Sequence, residues 1–209
     1  MDTDNATADR DRWMAWGGLA FLLIFLAAMI ASGDDISEDA TGKEVLAAVS
    51  GHKDGSYIAV FLYAPAVAAL CLFGARFRSL LSPVAGAARQ LFQYGLLLYA
   101  ASLTIGAVLD LALVAAQDHG QEQVAETVNV LSNDFWIPMT IGTAILLIGA
   151  GLSVLRTALL PRWMGWVALV VGVISLLGPG GFAGFFVTPI WIAIAGVMLA
   201  VRKDAPAVA

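Results

Sequence analysis

The chain has 209 residues, of which 60% are hydrophobic and 13% are charged. A water-soluble domain of this composition would have too few polar residues to cover its surface. The formal net charge is -5 at pH 7. Because neutralising phosphates requires clustered Lys and Arg, which the sequence lacks, this charge argues against a nucleic-acid partner. The composition indicates a protein whose surface is covered by lipid.

Six continuous apolar segments follow one another along the chain, each bounded by charged residues or by Gly and Pro. About 20 apolar residues in a helix cross a hydrocarbon core of roughly 30 Å. Because only helices satisfy their own backbone in lipid outside a closed barrel, the sequence predicts an all-α, six-helix transmembrane domain over residues 1–209. The predicted spans are Trp13–Ala31, Tyr57–Phe73, Leu91–Ala116, Phe135–Leu155, Trp163–Leu177 and Phe182–Val201.

The basic residues predict how the spans are oriented. A cytoplasmic N-terminus puts nine of the 11 Lys and Arg residues inside and leaves only Lys43 and Lys53 outside. Residues 1–12 and 202–209 are then two cytoplasmic tails, and the segments between the first and second spans and between the third and fourth are outer loops.

Each of these outer loops predicts a short amphipathic helix. In the first loop, Thr41 and Glu44 have the spacing of a capping box at a helix start. The apolar stripe of that helix consists of Val45, Leu46 and Val49. In the second loop, the apolar face consists of Val124, Val128 and Leu131. We expect both helices to lie on the outer surface as a lid, and the alternative that they only order the loops stays open.

Asp110 is an acidic residue well inside the third predicted span. A carboxylate at such a depth costs a few kcal/mol unless it is paired, hydrated or protonated, so it should face protein. Tyr99, Ser102 and Gly106 share its helix face, which predicts a stripe against which a neighbouring helix packs closely. The third span therefore directs its carboxylate toward a partner helix.

Hydroxyl groups at a similar estimated depth are candidate neighbours of Asp110. The predicted ligand-binding residues are Asp110, Tyr63, Thr140, Thr188 and Tyr99. The alternative is one carboxylate satisfied by a Tyr or Thr hydroxyl, which would only fix helix packing.

Two prolines interrupt predicted spans near the same level. Pro65 and Pro189 should each release a backbone carbonyl one turn earlier in its helix, at Phe61 and Phe185. Released carbonyls can line a cavity between helices, although proline kinks also occur for purely structural reasons.

Most catalytic and metal-binding patterns are missing from the sequence. His52 and His119 both lie in outer loops without a second nitrogen or sulfur ligand nearby, so neither a metal nor another cofactor is predicted. A nucleophile elbow, a phosphate-binding loop and a dinucleotide fingerprint are also lacking. No catalytic residue is predicted, and an enzyme with Asp110 as a general acid would need a second catalytic group.

Three segments carry a resemblance to a known family. The stretch Glu44–Tyr63, the stretch Arg156–Trp166 with its Leu-Pro-Arg-Trp-Met-Gly-Trp sequence, and Pro189-Ile190-Trp191 resemble a family of actinobacterial-type six-helix membrane proteins, a bacterial domain of unknown function. The resemblance implies a multi-pass protein of the bacterial plasma membrane. It implies no activity, cofactor or catalytic residue.

Two functions remain as leading hypotheses. The first is binding or transport of a small lipophilic or amphiphilic molecule in a cavity near Asp110, beneath the outer-loop helices. The second is a structural or regulatory membrane subunit without catalytic activity. Membrane lipids are expected partners in both cases, and association with the same or another chain through small-residue helix faces stays open.

Overall fold

The computed structural model describes residues 11–33, 36–81, 86–177 and 180–202. The rest of the two predicted tails, residues 1–10 and 203–209, lies outside the described residues. The described residues form a short 3₁₀-helix and eight α-helices, with no strand among them, so the all-α prediction is confirmed. The 3₁₀-helix is Arg12–Trp16, and the α-helices are α1 Gly17–Ser32, α2 Gly42–Gly51, α3 Lys53–Leu80, α4 Gly86–Asp118, α5 Glu122–Asp134, α6 Trp136–Thr157, α7 Arg162–Ile174 and α8 Gly180–Val201.

Five helical stretches in the described part of the chain are long and apolar enough to cross a membrane. They are Arg12–Ser32, Lys53–Leu80, Gly86–Asp118, Glu122–Thr157 and Gly180–Val201. The remaining apolar helix, α7, has 13 residues and is roughly 20 Å long at 1.5 Å per residue. It ends three residues before the predicted span does, because Ser175 to Leu177 form a turn. The structure is therefore a membrane-embedded helical bundle with five helices of spanning length.

The most extensive helix contact, between α4 and α6, is made by glycines. A Cβ atom at Gly142 would lie 2.8 Å from the backbone nitrogen of Tyr99. A Cβ atom at Gly149 would lie 2.7 Å from the carbonyl carbon of Leu91, and Gly95 meets the backbone of Leu146 in the same way. The two backbones touch because these residues lack side chains, which is how membrane helices associate closely without a hydrophobic driving force.

The end of the bundle that carries the Arg side chains is tied together by hydrogen bonds. Arg12 Nε donates to the carbonyl oxygen of Ala200 at 2.6 Å, and Arg202 donates to the carbonyl oxygen of Leu159. These bonds join the start of α1, the end of α8 and the α6–α7 connection. We call this the arginine-rich end; its described arginines are Arg12, Arg76, Arg78, Arg89, Arg156, Arg162 and Arg202.

The opposite end is covered by a lid, which we define as residues 36–51 and α5. The predicted capping box is confirmed, since the Glu44 carboxylate accepts hydrogen bonds from the backbone nitrogen and Oγ1 of Thr41 at 2.9 and 2.7 Å. The predicted stripe of α2 is also confirmed, with Val45 and Val49 buried. A separate apolar core places this stripe against the last turns of α4, near Val114.

The predicted apolar face of α5 is confirmed only at Val128, which is partly buried and packs against this small apolar core. Val124 and Leu131 are 44% and 54% exposed, whereas Ala125 and Asn129 are 0% and 2% exposed. The buried face is displaced by about one residue, or roughly 100° around the helix. The face that is buried instead carries Asn129 and Asn133, whose side chains donate hydrogen bonds to the segment before α2 and so orient α5.

Candidate functional site

A cavity of about 760 Å³ lies between the lid and the ends of the long helices. This volume falls within the roughly 300–1,000 Å³ typical of small-molecule sites. Asp110 and Tyr63 lie on the helix side of the cavity, and α2 and α5 lie on the lid side. The lining residues are Met29, Ser32, Gly33, Ile36, Ser37, Ala40, Glu44, Ala47, Ala48, Val49, Gly51, His52, Ser56, Ala59, Tyr63, Asp110, Leu113, Val114, Asn129, Ser132, Asn133 and Phe185.

The register of α3 against α4 brings Tyr63 and Asp110 together. At the lid end, Lys53 forms an ion pair with Asp118, and the Tyr57 hydroxyl donates to the same carboxylate at 3.5 Å. Tyr63 lies ten residues after Lys53, and Asp110 lies eight residues before Asp118. In antiparallel helices these are depths of roughly 15 and 12 Å at 1.5 Å per residue. The two side chains therefore lie at nearly one level and interact electrostatically.

The Asp110 carboxylate has no cationic partner among the described residues. It forms neither an ion pair nor a hydrogen bond with another described side chain, and its electrostatic neighbour is the Tyr63 hydroxyl. The lining residues that the structure describes include no Lys or Arg. A carboxylate at this depth is costly unless water or a ligand compensates it, which makes Asp110 the most informative residue of the cavity.

Tyr99 lies behind this pair and does not line the cavity. Its side chain is fully buried, with its ring edge against Phe21 at 6.2 Å between centroids. Its hydroxyl has no hydrogen-bond partner within the described part of the chain. Tyr99 therefore supports the floor of the site from within the packed bundle.

Thr140 lies away from Asp110. Because Gly142 of α6 packs beside Tyr99 of α4, Thr140 lies opposite Ala101 in this antiparallel pair. That position is roughly 14 Å from Asp110 along the helix axis. The Thr140 hydroxyl instead donates to the carbonyl oxygen of Ile137 in its own helix, at 2.8 Å.

Thr188 is also placed outside the cavity. Its side chain is fully buried in α8, and its hydroxyl has no hydrogen-bond partner among the residues that the structure describes. One turn earlier, Gly184 packs against Thr143 of α6. The depth estimates for Thr140 and Thr188 assumed spans of equal length, whereas α4 alone is 33 residues long and extends to the lid.

The predicted small-residue stripe on α4 does not form a close helix contact at Gly106. A Cβ atom at Gly106 would meet nothing within 4 Å, so no helix packs closely there. The Ser102 hydroxyl bonds back to the carbonyl oxygen of Leu98 at 2.8 Å. The close backbone contact of α4 with α6 occurs nearer the arginine-rich end, where Gly95 meets the backbone of Leu146.

Three polar residues of α5 contribute to the cavity and were not predicted. Asn129, Ser132 and Asn133 line it at the i, i+3 and i+4 spacing that shares one helix face. The Asn129 side chain donates to the carbonyl oxygen of Ser37 at 2.8 Å, and Asn133 donates to that of Ile36 at 3.3 Å. This i, i+3, i+4 spacing of polar residues is the signal in the sequence that indicates a polar face on α5.

Glu44 and His52 are further titratable groups of the lining. The hydrogen bonds from Thr41 hold the pKa of the Glu44 carboxyl below its usual value of 4.5, because they stabilise the charged form. His52 lies against Gly33, whose φ of +82° and close contact with the imidazole ring favour glycine. Within the described ranges, His, Cys, Asp and Glu side chains form no group of three or more that could hold a metal ion.

The fold and the cavity together define the class of the molecule as an α-helical, membrane-embedded protein with a lidded cavity near one end. Comparison with protein-family models, with curated proteins and with solved structures found no match. The functional argument therefore depends on the geometry of the cavity itself.

Proposed function

We propose that this protein binds a small amphiphilic molecule in the lidded cavity, in order to retain it or to move it across the membrane. The single observation that carries the proposal is the cavity of about 760 Å³ with Asp110 and Tyr63 on its helix side. An unpaired carboxylate within an apolar helix of a membrane protein is by default a candidate ligand or transport site.

The lining has the two kinds of surface that an amphiphile needs. Met29, Leu113 and Phe185 offer apolar surface on three different helices, whereas Asn129 and Asn133 offer amides on the lid. Phe185 lies one turn before Pro189, which lies inside α8. The proline removes a backbone donor in this turn, so the helix can present backbone oxygen as well as an aromatic ring to the cavity.

The proposal includes a location and an orientation. We place the chain in the bacterial plasma membrane, as the family resemblance implies, with six crossings and both termini in the cytoplasm. The separation of charge supports this orientation, because Lys43 and Lys53 belong to the lid end and the described arginines to the opposite end. The lid then faces outward, and the cavity receives its ligand from the outer leaflet or the outer medium.

A cavity-filling pair of variants tests the proposal. Ala48 lines the cavity, whereas Ser50, two residues further along α2 and also exposed, does not line it. We expect Ala48→Trp to weaken binding of octanol, a neutral amphiphile, and to reduce the small molecules retained in native mass spectra of the protein in lipid particles. Ser50→Trp should leave both unchanged.

The measurement has a clear opposite outcome. If wild type and Ala48→Trp bind octanol equally and carry the same retained species, the cavity is not a binding site. The chain would then be a structural or regulatory subunit, whose stable partner should be captured by cross-linking in the membrane.

A further inference from the structure

The charge of the lining points to one class of ligand. We propose that the cavity selects organic cations, an ammonium or similar group with an apolar portion, and that Asp110 is the counter-ion. This inference rests on the proposed function and adds to it the sign of the ligand's charge.

The first argument is the balance of charges around the cavity. The titratable lining residues are two carboxylates, Asp110 and Glu44, one imidazole, His52, and one phenol, Tyr63; the described lining contains no Lys or Arg. An anion would enter without a guanidinium or ammonium to receive it. Like charges placed together cost free energy, so the lining selects against anions as well as for cations.

The second argument is that the carboxylates of Asp110 and Glu44 differ in the hydrogen bonds that they already accept. The Glu44 carboxylate already accepts two hydrogen bonds from Thr41. The Asp110 carboxylate has no such donor in the described part of the chain. A neutral ligand would desolvate Asp110 without compensating its charge, whereas a cation would compensate it directly. The position of the charged group in the ligand is therefore set by Asp110.

The third argument is the aromatic surface near that carboxylate. Tyr63 and Phe185 both line the cavity, and Tyr63 lies at the level of Asp110. Aromatic faces attract ammonium groups, most strongly where water is excluded. The same surface accepts the apolar portion of the molecule. Carboxylate and aromatic rings together favour an alkylammonium over an inorganic ion, which would leave the rings unused.

Three probes with the same alkyl chain separate charge from hydrophobicity. Octyltrimethylammonium is permanently positive, octanol is neutral and octanoate is negative at neutral pH. Binding would be measured for each as a concentration-dependent shift of the thermal unfolding midpoint in a non-ionic detergent. We expect wild type to bind the cation about tenfold or more tighter than octanol, and octanoate most weakly.

Asp110→Asn is the decisive variant, with Asp118→Asn as its matched control on the same helix. Asp118 is paired with Lys53 and does not line the cavity. Asp110→Asn should remove the preference for octyltrimethylammonium over octanol, and octanol should bind at least as tightly as in wild type, because it no longer desolvates a charged group. Asp118→Asn should leave the preference for the cation intact. Retained octanol binding also shows that the Asn variant is folded.

The outcomes distinguish this inference from the proposed function. Equal affinities for cation and alcohol, with Ala48→Trp still weakening the binding of both, would overturn the charge preference while the binding site stands. If no probe binds, or if Ala48→Trp changes the binding of none of them, the proposed function is overturned as well. A third outcome is that sodium chloride stabilises the protein more than potassium chloride does, that this difference requires Asp110, and that the organic cation does not bind. The carboxylate would then be assigned to an inorganic ion instead.

Discussion

The arginine-rich end and the lid end of this protein are held together by different forces. At the arginine-rich end, α4 and α6 touch backbone to backbone through Gly95 and Gly149, and Phe77 packs on Phe92 with ring centroids 4.6 Å apart. At the lid end, separate segments are joined by side-chain hydrogen bonds and by a small apolar core. Dense packing leaves no room for a ligand, whereas hydrogen-bonded segments around a cavity can open.

This difference indicates that the stability of the fold and access to the cavity depend on different parts of the chain. Local opening uses the parts of a structure with few buried apolar contacts and exposed hydrogen bonds. The lid meets that description, and the glycine-packed helices do not. We therefore expect substitutions at the arginine-rich end to affect the whole fold, and substitutions in the lid to affect access to the cavity.

The largest expected effect is that of Gly95→Ala. The new Cβ atom would lie 2.7 Å from the carbonyl carbon of Ile145 and would overlap the backbone of Leu146. Because helix backbones cannot give way as side chains do, we expect a loss of about 3 kcal/mol in the free energy of unfolding. Denaturant-induced unfolding in detergent micelles, followed by circular dichroism, measures it.

Gly106→Ala is the control, since it makes the same change on the same helix. Nothing lies within 4 Å of its new Cβ atom. We expect stability equal to or slightly above that of wild type, because Ala favours helix over Gly. Equal destabilisation by the two variants would show that glycine contacts do not distinguish the two ends.

Asn129→Ala should have an intermediate effect, confined to the lid. The Asn129 side chain is 2% exposed and donates to the carbonyl oxygen of Ser37 at 2.8 Å. Loss of a buried hydrogen-bond donor costs about 1–3 kcal/mol. Hydrogen exchange should quicken in residues 36–51 and in α5, while the α4–α6 contact keeps its protection.

Thr127→Ala tests whether this effect is specific. The Thr127 hydroxyl is exposed and bonds only to the carbonyl oxygen of Gln123, in its own helix. Its removal should leave exchange in the lid unchanged. A uniform increase along the whole chain in Asn129→Ala would instead mean that lid and bundle open as one unit.

The smallest expected effect is a pH dependence of the start of α2. The pKa of the Glu44 carboxyl is lowered by its hydrogen bonds with Thr41, so the folded lid holds this carboxyl charged more readily than the unfolded chain does. The stabilisation is present above the usual pKa of 4.5 and is lost as the pH falls through the lowered value. Hydrogen exchange at residues 41–45, corrected for its intrinsic rate, should show this loss.

Glu44→Gln removes the titrating group while keeping a side chain that can accept hydrogen bonds. The variant should show no pH dependence at this helix start over the same range. An unchanged pH profile in Glu44→Gln would mean that another carboxyl group controls the lid.

Local pattern predicted much of the fold. Helical segments, the capping box of Thr41 and Glu44, and the buried stripe of α2 follow from hydropathy and from contacts between residues a few positions apart. The face of α5 could not be predicted in the same way. Its orientation depends on hydrogen bonds from Asn129 to a segment 92 residues earlier in the chain, which no local pattern contains.

The residues of the candidate site were likewise predictable only in part. Asp110 was recognisable as a polar group in an apolar run, and Tyr63 by its estimated depth. Depth alone also selected Thr140 and Thr188, which lie elsewhere because helices of unequal length do not share one scale of depth. The meeting of Tyr63 with Asp110 depends on the Lys53–Asp118 register of α3 against α4.

By itself, the sequence determined that this is an all-helical membrane protein with an amphipathic lid helix and an unusual carboxylate, because hydropathy and charge are properties of short segments. Only the tertiary structure decided which residues surround that carboxylate. Helix register, lid orientation and the cavity between them arise from contacts between distant parts of the chain, and packing selects among faces that local patterns leave equivalent.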